Sequence, residues 1–147
     1  MEPLDLRRSP PRSCFAELDG LMLVPRTIDK LRAQLPGGNA GGYFINGPIK
    51  GISGYLLERL GIPEAALLEA VRTAASEDEV AQWLREHTDA AQYPAINETL
   101  RRIKPKHAES EAFFREAYAE TIALHPGLET IVDIVDADDR RAFSGRQ

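Results

Sequence analysis

Leu23-Val24-Pro25-Arg26-Thr27-Ile28-Asp29-Lys30-Leu31-Arg32-Ala33-Gln34-Leu35-Pro36-Gly37 is the stretch whose reading decides the fold. Pro25 suits the first turn of a helix, where its fixed φ is already helical and its missing N–H is not needed. Ile28, Leu31 and Leu35 recur at helical spacing and mark the inward face. Pro36 and Gly37 stop the helix. The run Leu21-Met22-Leu23-Val24 before it is apolar but too short to classify by period. The same stretch carries Arg26, Lys30 and Arg32 beside a single carboxylate, Asp29. A fold element and a candidate anion site therefore coincide.

Toward the C-terminus, the segment Gly37 to Gly42 holds four glycines in six residues. It lacks the Gly-x-x-x-x-Gly-Lys-Ser/Thr pattern of a phosphate loop and reads as a solvent-facing turn or lid. Tyr43-Phe44-Ile45 fits a short strand or an extended plug. The spacing predicts a helix from Ser53 to Leu60, with Ser53 as its N-cap and Gly61 as its end. Pro63 opens another to about Ala75. Ser76-Glu77-Asp78-Glu79 is a capping box for a helix with Val80, Trp83 and Leu84 inward. Pro94 opens the next, with Ile96, Leu100 and Ile103 inward. Ser110 to Leu124 predicts the longest helix, and Trp83 is expected to be substantially buried against it. Ile131 to Val135 suits a last short helix, followed by a charged tail over 136–147.

Toward the N-terminus, Pro3, Pro10 and Pro11 preclude a helix through residues 1–20, which read as an extended arm that wraps over the domain or frays. The expected architecture is a mainly α, compact single-domain fold: an arm over 1–20 and one helical domain over 21–147, with a glycine-rich loop near residue 40.

The length of 147 residues suits one domain with a real core. A net charge of −5 argues against nucleic acid as the main partner. Residues 51–100 carry nine acids against three cations, while Arg101, Arg102, Lys104 and Lys106 form a basic run, as do Arg7, Arg8 and Arg12. Runs this short read as solvated faces or as a patch for an acidic partner. No window reaches the ~20 apolar residues of a membrane helix, and the first residues lack a secretory pattern, so a cytoplasmic location is expected. Cys14 is alone, so no internal disulfide is available.

Arg26 and Lys30 stand one turn apart, with Asp29 beside them. Two cations at a helix start favour a small carboxylate or phosphate. Tyr43 and Asn46 complete the ligand-binding set, and Asp29 is the one candidate catalytic group, as a general base or an orienter. The bland alternative has Asp29 complementing the helix dipole, Arg26 paired with an acid such as Glu58, and Lys30 in solvent. His87, His107 and His125 lack metal-ligand spacing and suit caps or surface positions. Asp136, Asp138 and Asp139 lack the glycine turn and closing Glu of a calcium loop; a tail docked by Asp–Arg pairs fits them better. No motif implies a cofactor or metal, and nothing sets the oligomeric state.

Pro25-Arg26-Thr27-Ile28-Asp29-Lys30, preceded by Leu4-Asp5-Leu6 and Pro11-Arg12-Ser13, resembles the bacterial DUF5069 family, a domain of unknown function. Weaker matching pieces are Gly47-Pro48, Leu60-Gly61-Ile62, the region of Trp83, and Asp136 to Phe143. The chain departs from the family pattern after Pro48: it has Ile49-Lys50 where many members have Leu-Asp, so the family's acid is missing at that position. The resemblance implies a small, mainly helical bacterial domain and no particular activity. Three functions remain open on the sequence: binding of a small anionic ligand or partner, an enzyme acting on a small carboxylate-bearing metabolite by acid/base chemistry, and a structural interaction module.

Overall fold

In the computed structural model, residues 1–144 are described. Helix α1, Val24–Ala33, is the hub, and every residue in it except Arg32 is buried. A helix buried all round usually lacks charge. This one carries Arg26, Asp29 and Lys30 inward, so each needs a partner inside the protein. The helix is entered through Leu23, which adopts a left-handed φ of 70°. That conformation costs a non-glycine residue about 1–2 kcal/mol. Here the fully buried Leu23 side chain and its N–H, which donates to the Cys14 carbonyl at 3.1 Å, hold it in place.

The apolar run before α1 resolves into a hairpin. Strand β1, Glu17–Leu18, pairs antiparallel with β2, Leu21–Met22. The turn places both Asp19 and Gly20 at positive φ, the geometry that two-residue hairpin turns require. Residues before the hairpin are tied to the body at several points. Leu6 and Cys14 are fully buried. Leu4 and Leu6 exchange backbone hydrogen bonds with Arg32 and Asn39. The short basic runs are matched by local acids: Arg12 with Asp29 and Glu77, and Arg101 and Arg102 with Glu98.

Helices α2 (Ile52–Leu60), α3 (Glu64–Thr73), α4 (Glu77–His87) and α5 (Tyr93–Arg101) follow. Helices α2 and α3 pack on α1, and α5 packs on β2 and α2. The N-cap of α2 is Gly51, not Ser53; Ser53 lies inside the first turn, fully buried. Ser76 caps α4 as its sequence indicates, accepting from the Glu79 N–H, while the Glu79 carboxylate reaches back one residue further, to the N–H of Ala75. Trp83 does not meet the 110–124 segment. It lies half-buried on α4, lines a shallow groove with Ala70 of α3 and Ala74 just after it, and stacks on His87 at 4.0 Å. Trp83→Ala is accordingly expected to cost about 1.5 kcal/mol, below the 3–5 kcal/mol of a fully buried aromatic. Denaturant titration checks this, and a loss above about 3 kcal/mol would contradict it.

The expected long helix is divided. Helix α6 (Glu111–Ala117) and α7 (Ala119–Leu124) meet at Tyr118, whose φ of −112° and ψ of 22° leave the helical region. No proline or glycine announces the break. The Tyr118 ring lies tilted against Phe114 at 4.6 Å, and beyond the break the Thr121 hydroxyl donates to Asp138 of the C-terminal helix at 2.6 Å, a tertiary contact that holds α7 in its direction. The expected short helix and tail are one helix, α8, Ile131–Phe143. Its four aspartates are partnered: Asp133 by the N-cap Thr130, Asp136 by Ser13 and the Cys14 N–H, Asp138 by Thr121 and Arg141, and Asp139 by Arg26 and Tyr43. The last three residues of the expected tail lie outside the described residues. Among the described residues, eight α-helices and two short 3-10 turns make 56% of the structure helical, which places the protein in the mainly α class. No helix among the described residues is long and apolar enough to cross a membrane.

Candidate functional site

A cavity of about 390 Å³ lies between the flank of α1, the segment 41–52, helix α6 with Tyr118 after it, and α8. That volume is in the range that holds small organic ligands. Arg26 and Lys30 reach its wall from α1, Tyr43 and Lys50 from the segment before α2. The apolar stripe of α6 contributes Phe113 and Phe114. Both rings are expected in a packed core; Phe114 is buried there and also borders the hollow, whereas Phe113 remains 37% exposed. The start of α1 does not face the cavity as an open helix N-terminus, because Leu23 and Val24 are sealed inside the core. Arg26 and Lys30 arrive there from the side of the helix, since residues four apart are rotated by only about 40°.

Lys30 is the unusual group. Its Nζ donates to the Phe44 carbonyl at 3.1 Å and to Ser53 Oγ at 3.3 Å. No carboxylate pairs with it among the described residues. Burial, together with the nearby charge of Arg26, pushes its ammonium down to about 7. A neutral amine has two N–H donors and one lone pair. Both donors are used, so the neutral form is satisfied, whereas a third proton has no acceptor among the described residues.

Arg26 is charged and buried, with 1% of its surface exposed. Its Nη1 donates to Asp139 Oδ2 at 2.7 Å and to the Arg12 carbonyl at 3.2 Å. The Tyr43 hydroxyl donates to the other Asp139 oxygen at 2.6 Å, and the guanidinium lies 5.6 Å from the Tyr43 ring centre. Burial and this bond to Asp139 raise the Tyr43 phenol above its ordinary range, so it keeps its proton. Arg26 Nε is the one buried side-chain polar atom without a hydrogen-bond partner among the described residues. A buried unsatisfied donor costs about 1–3 kcal/mol, more on a charged group. The expected pairing of Arg26 with Glu58 does not form; Glu58 pairs with Lys50.

A family model for a domain of unknown function, DUF5069, matches residues 8–141. The chain belongs to that family. Arg26, Lys30, Tyr43 and Asp139 all lie within the matched span. Comparison with curated proteins gives no match.

In this DUF5069 member the sequence-derived site residues separate into two groups. Arg26, Lys30 and Tyr43 meet at the cavity. Asp29 and Asn46 do not line it. Asp29 accepts from the Arg12 N–H at 2.8 Å and from its guanidinium at 3.0 Å and 3.1 Å. Arg12 also pairs with Glu77, so Asp29 ties residue 12 and α4 to α1. Asn46 is exposed, donates to Glu64 at 3.3 Å, and packs so closely on Gly54 that an added Cβ would lie 2.5 Å from its Oδ1 and 2.9 Å from the Ile45 carbonyl. Sequence reading missed Asp139, Ser53 and the Phe44 carbonyl. A local signal existed for Asp139, which sits in an aspartate cluster before two arginines. None existed for Ser53 or Phe44, because their roles depend on where α1 lies. Cys14 is buried, with its thiol pushed up to about 12 by burial, and lies outside the cavity. The histidines serve locally: His87 under Trp83, and His107 accepting from the Lys104 N–H. No group of three or more His, Cys, Asp or Glu is placed to hold a metal among the described residues.

Proposed function

We propose that the protein binds a small organic anion with an apolar body, the carboxylate lying toward Lys30 and Arg26 and the body against Phe113, Phe114, Tyr118 and Val135. The observation that carries this reading is the pair of buried cationic side chains, Arg26 and Lys30, on the wall of a cavity whose other lining is mostly apolar apart from Lys50 and Asp138, the latter already bonded to Thr121 and Arg141. Lys30 has no anionic partner, and Arg26 keeps an unused Nε–H. The glycine-rich segment supplies one rim through Gly41 and Gly42, whose positive φ values let the backbone fold over the opening without a side chain in the way. Acid/base catalysis by Asp29 has no such support, because both its oxygens are held by Arg12 away from the cavity. Cytoplasmic function fits a ligand of metabolite size.

Binding an anion restores the charge of Lys30. Affinity is therefore expected to fall as pH rises through about 7, and binding at about pH 7.5 to take up protons. Isothermal calorimetry with branched and straight carboxylic acids, in buffers of different ionisation enthalpy, measures both. Ala117 is exposed and lines the cavity. Ala117→Trp is expected to fill the space and abolish binding while changing stability by less than about 1 kcal/mol. Equal binding by this variant, or no acid bound by the wild type, would end the reading.

A further inference from the structure

The environment of Lys30 has chemical as well as electrostatic consequences. The amine is held by two acceptors, Phe44 O and Ser53 Oγ, on the wall of a cavity large enough for a small organic molecule. With both N–H bonds directed at those acceptors, the lone pair is the group left for the remaining direction. Amines become nucleophilic in proteins when they are desolvated or placed beside another cation, because both favour the unprotonated form. Lys30 meets both conditions: it is buried, and Arg26 stands one helical turn away on the same wall. The other lysines differ. Lys50 is paired with Glu58, and its charge is favoured by that contact. Lys104 and Lys106 lie away from the cavity.

We propose that Lys30 forms a reversible imine with a carbonyl-bearing carboxylic acid seated in this cavity, a 2-oxo acid with an apolar side chain being the class that fits. The inference rests on the anion-binding reading above and names the ligand class for it. The Lys30 nitrogen adds its lone pair to the carbonyl carbon, and the π pair moves to oxygen. One N–H proton transfers to that oxygen to give a carbinolamine. Loss of the hydroxyl with the second N–H proton, as water, leaves a C=N bond. The exchange of C=O and two N–H bonds for C=N and water needs no oxidant or reductant. The ligand's carboxylate lies toward Arg26 and its unpaired Nε–H, and the side chain lies against the α6 rings. Tyr118 lines the same cavity, with its phenol pushed up to about 12 by burial, so it holds a proton that can be lent to the departing oxygen.

The test is trapping with sodium cyanoborohydride, which reduces the imine to a stable secondary amine, using 4-methyl-2-oxopentanoate as the probe. Intact-mass analysis and peptide mapping are expected to place the adduct on Lys30, labelled at least about tenfold faster at pH 7.5 than Lys50, Lys104 or Lys106. The labelling rate should rise with pH to a plateau above about 7, where an ordinary lysine keeps rising toward 10. Lys30→Met should lose the adduct and Lys50→Arg should keep it; mapping on the wild-type protein makes the answer independent of either variant's folding. The saturated 4-methylpentanoate, titrated by calorimetry, tests the binding reading separately. If that acid binds and the oxo acid labels only surface amines, or nothing, the imine is overturned while anion binding stands. If neither acid binds and no adduct forms, both fall. An adduct on Lys30 without binding of the saturated acid supports the imine and removes the carboxylate as the main source of affinity.

Discussion

Asp139→Ala is expected to lower the stability of the protein by about 3–5 kcal/mol, the usual result of removing one partner from a buried ion pair. Arg26 then keeps only the Arg12 carbonyl as an acceptor for its Nη1 group, and the Tyr43 hydroxyl loses its partner as well. The loss comes from the uncompensated guanidinium more than from the vanished attraction. That distinction is testable. Arg26→Met combined with Asp139→Leu removes both charges and should recover most of the loss, because apolar replacements of a whole buried pair are often neutral. Urea denaturation of the wild type, the single variant and the double variant measures the two steps. A loss below about 1 kcal/mol for Asp139→Ala would show that the pair is worth no more than an exposed one.

Lys30→Met is expected to act in the opposite direction and to depend on pH. Burial holds the Lys30 amine at about 7, against 10.5 for the free group. Below about 7 both folded and unfolded forms carry the proton, and the fold bears the whole penalty of a buried ammonium. Between about 7 and 10.5 the unfolded chain binds more protons than the folded one, so stability rises with pH by up to about 1.4 kcal/mol per unit. The penalty at pH 6 is about 5 kcal/mol, and the two lost hydrogen bonds offset about half of it. Lys30→Met should therefore stabilise the protein by about 2 kcal/mol at pH 6 and by about nothing at pH 9. Taking the variant against the wild type cancels other titrations. Cys14 is the relevant one above 9: its thiol is held at about 12 in the fold, so its contribution is lost as pH rises. A variant less stable than the wild type at every pH would show that Lys30 is structural and ordinarily charged. A gain confined to low pH marks a residue kept at a cost to stability, which is the pattern of a functional site.

The two charged neighbours on α1 illustrate how sequence reading succeeded and fell short. Arg26 and Lys30 were placed on one side by a spacing of four, and the structure has them on one wall. Asp29, only one residue from Lys30, is rotated by about 100° and turns instead to Arg12. Adjacent positions in a helix share a sequence neighbourhood but not a direction, and only the packing of residue 12 against α1 reveals which way Asp29 is used. The α6–α7 segment is a second case. Its apolar stripe was legible, yet a stripe specifies that a face avoids water, not whether it meets side chains or an internal hollow. Phe113 and Phe114 both read as core; Phe114 is core and cavity wall together, while Phe113 is left partly exposed at the wall. Trp83 is a third: its spacing with Val80 and Leu84 marks an inward face, yet α4 buries those two and leaves Trp83 half-buried at a shallow groove.

What the sequence by itself determined is the set of helices from α1 to α5, while the α6–α7 break and the full length of α8 came only with the tertiary structure. Proline at helix starts, Gly61 at a helix end, Ser76 at a cap and apolar residues at three-and-four spacing are local signals, acting within a few residues through backbone sterics and hydrogen bonding. The DUF5069 family was legible for the same reason, because its Pro25 to Lys30 block is a contiguous run. What only the tertiary structure decided is everything that depends on distant partners. Ser13 and Asp136, Arg26 and Asp139, and Lys30 and Ser53 are brought together from opposite ends or separate helices. Burial then alters their chemistry. A lysine that a sequence presents as an exposed cation becomes, at the centre of this fold, an amine near neutrality, because desolvation acts only once the surrounding chain has closed over it.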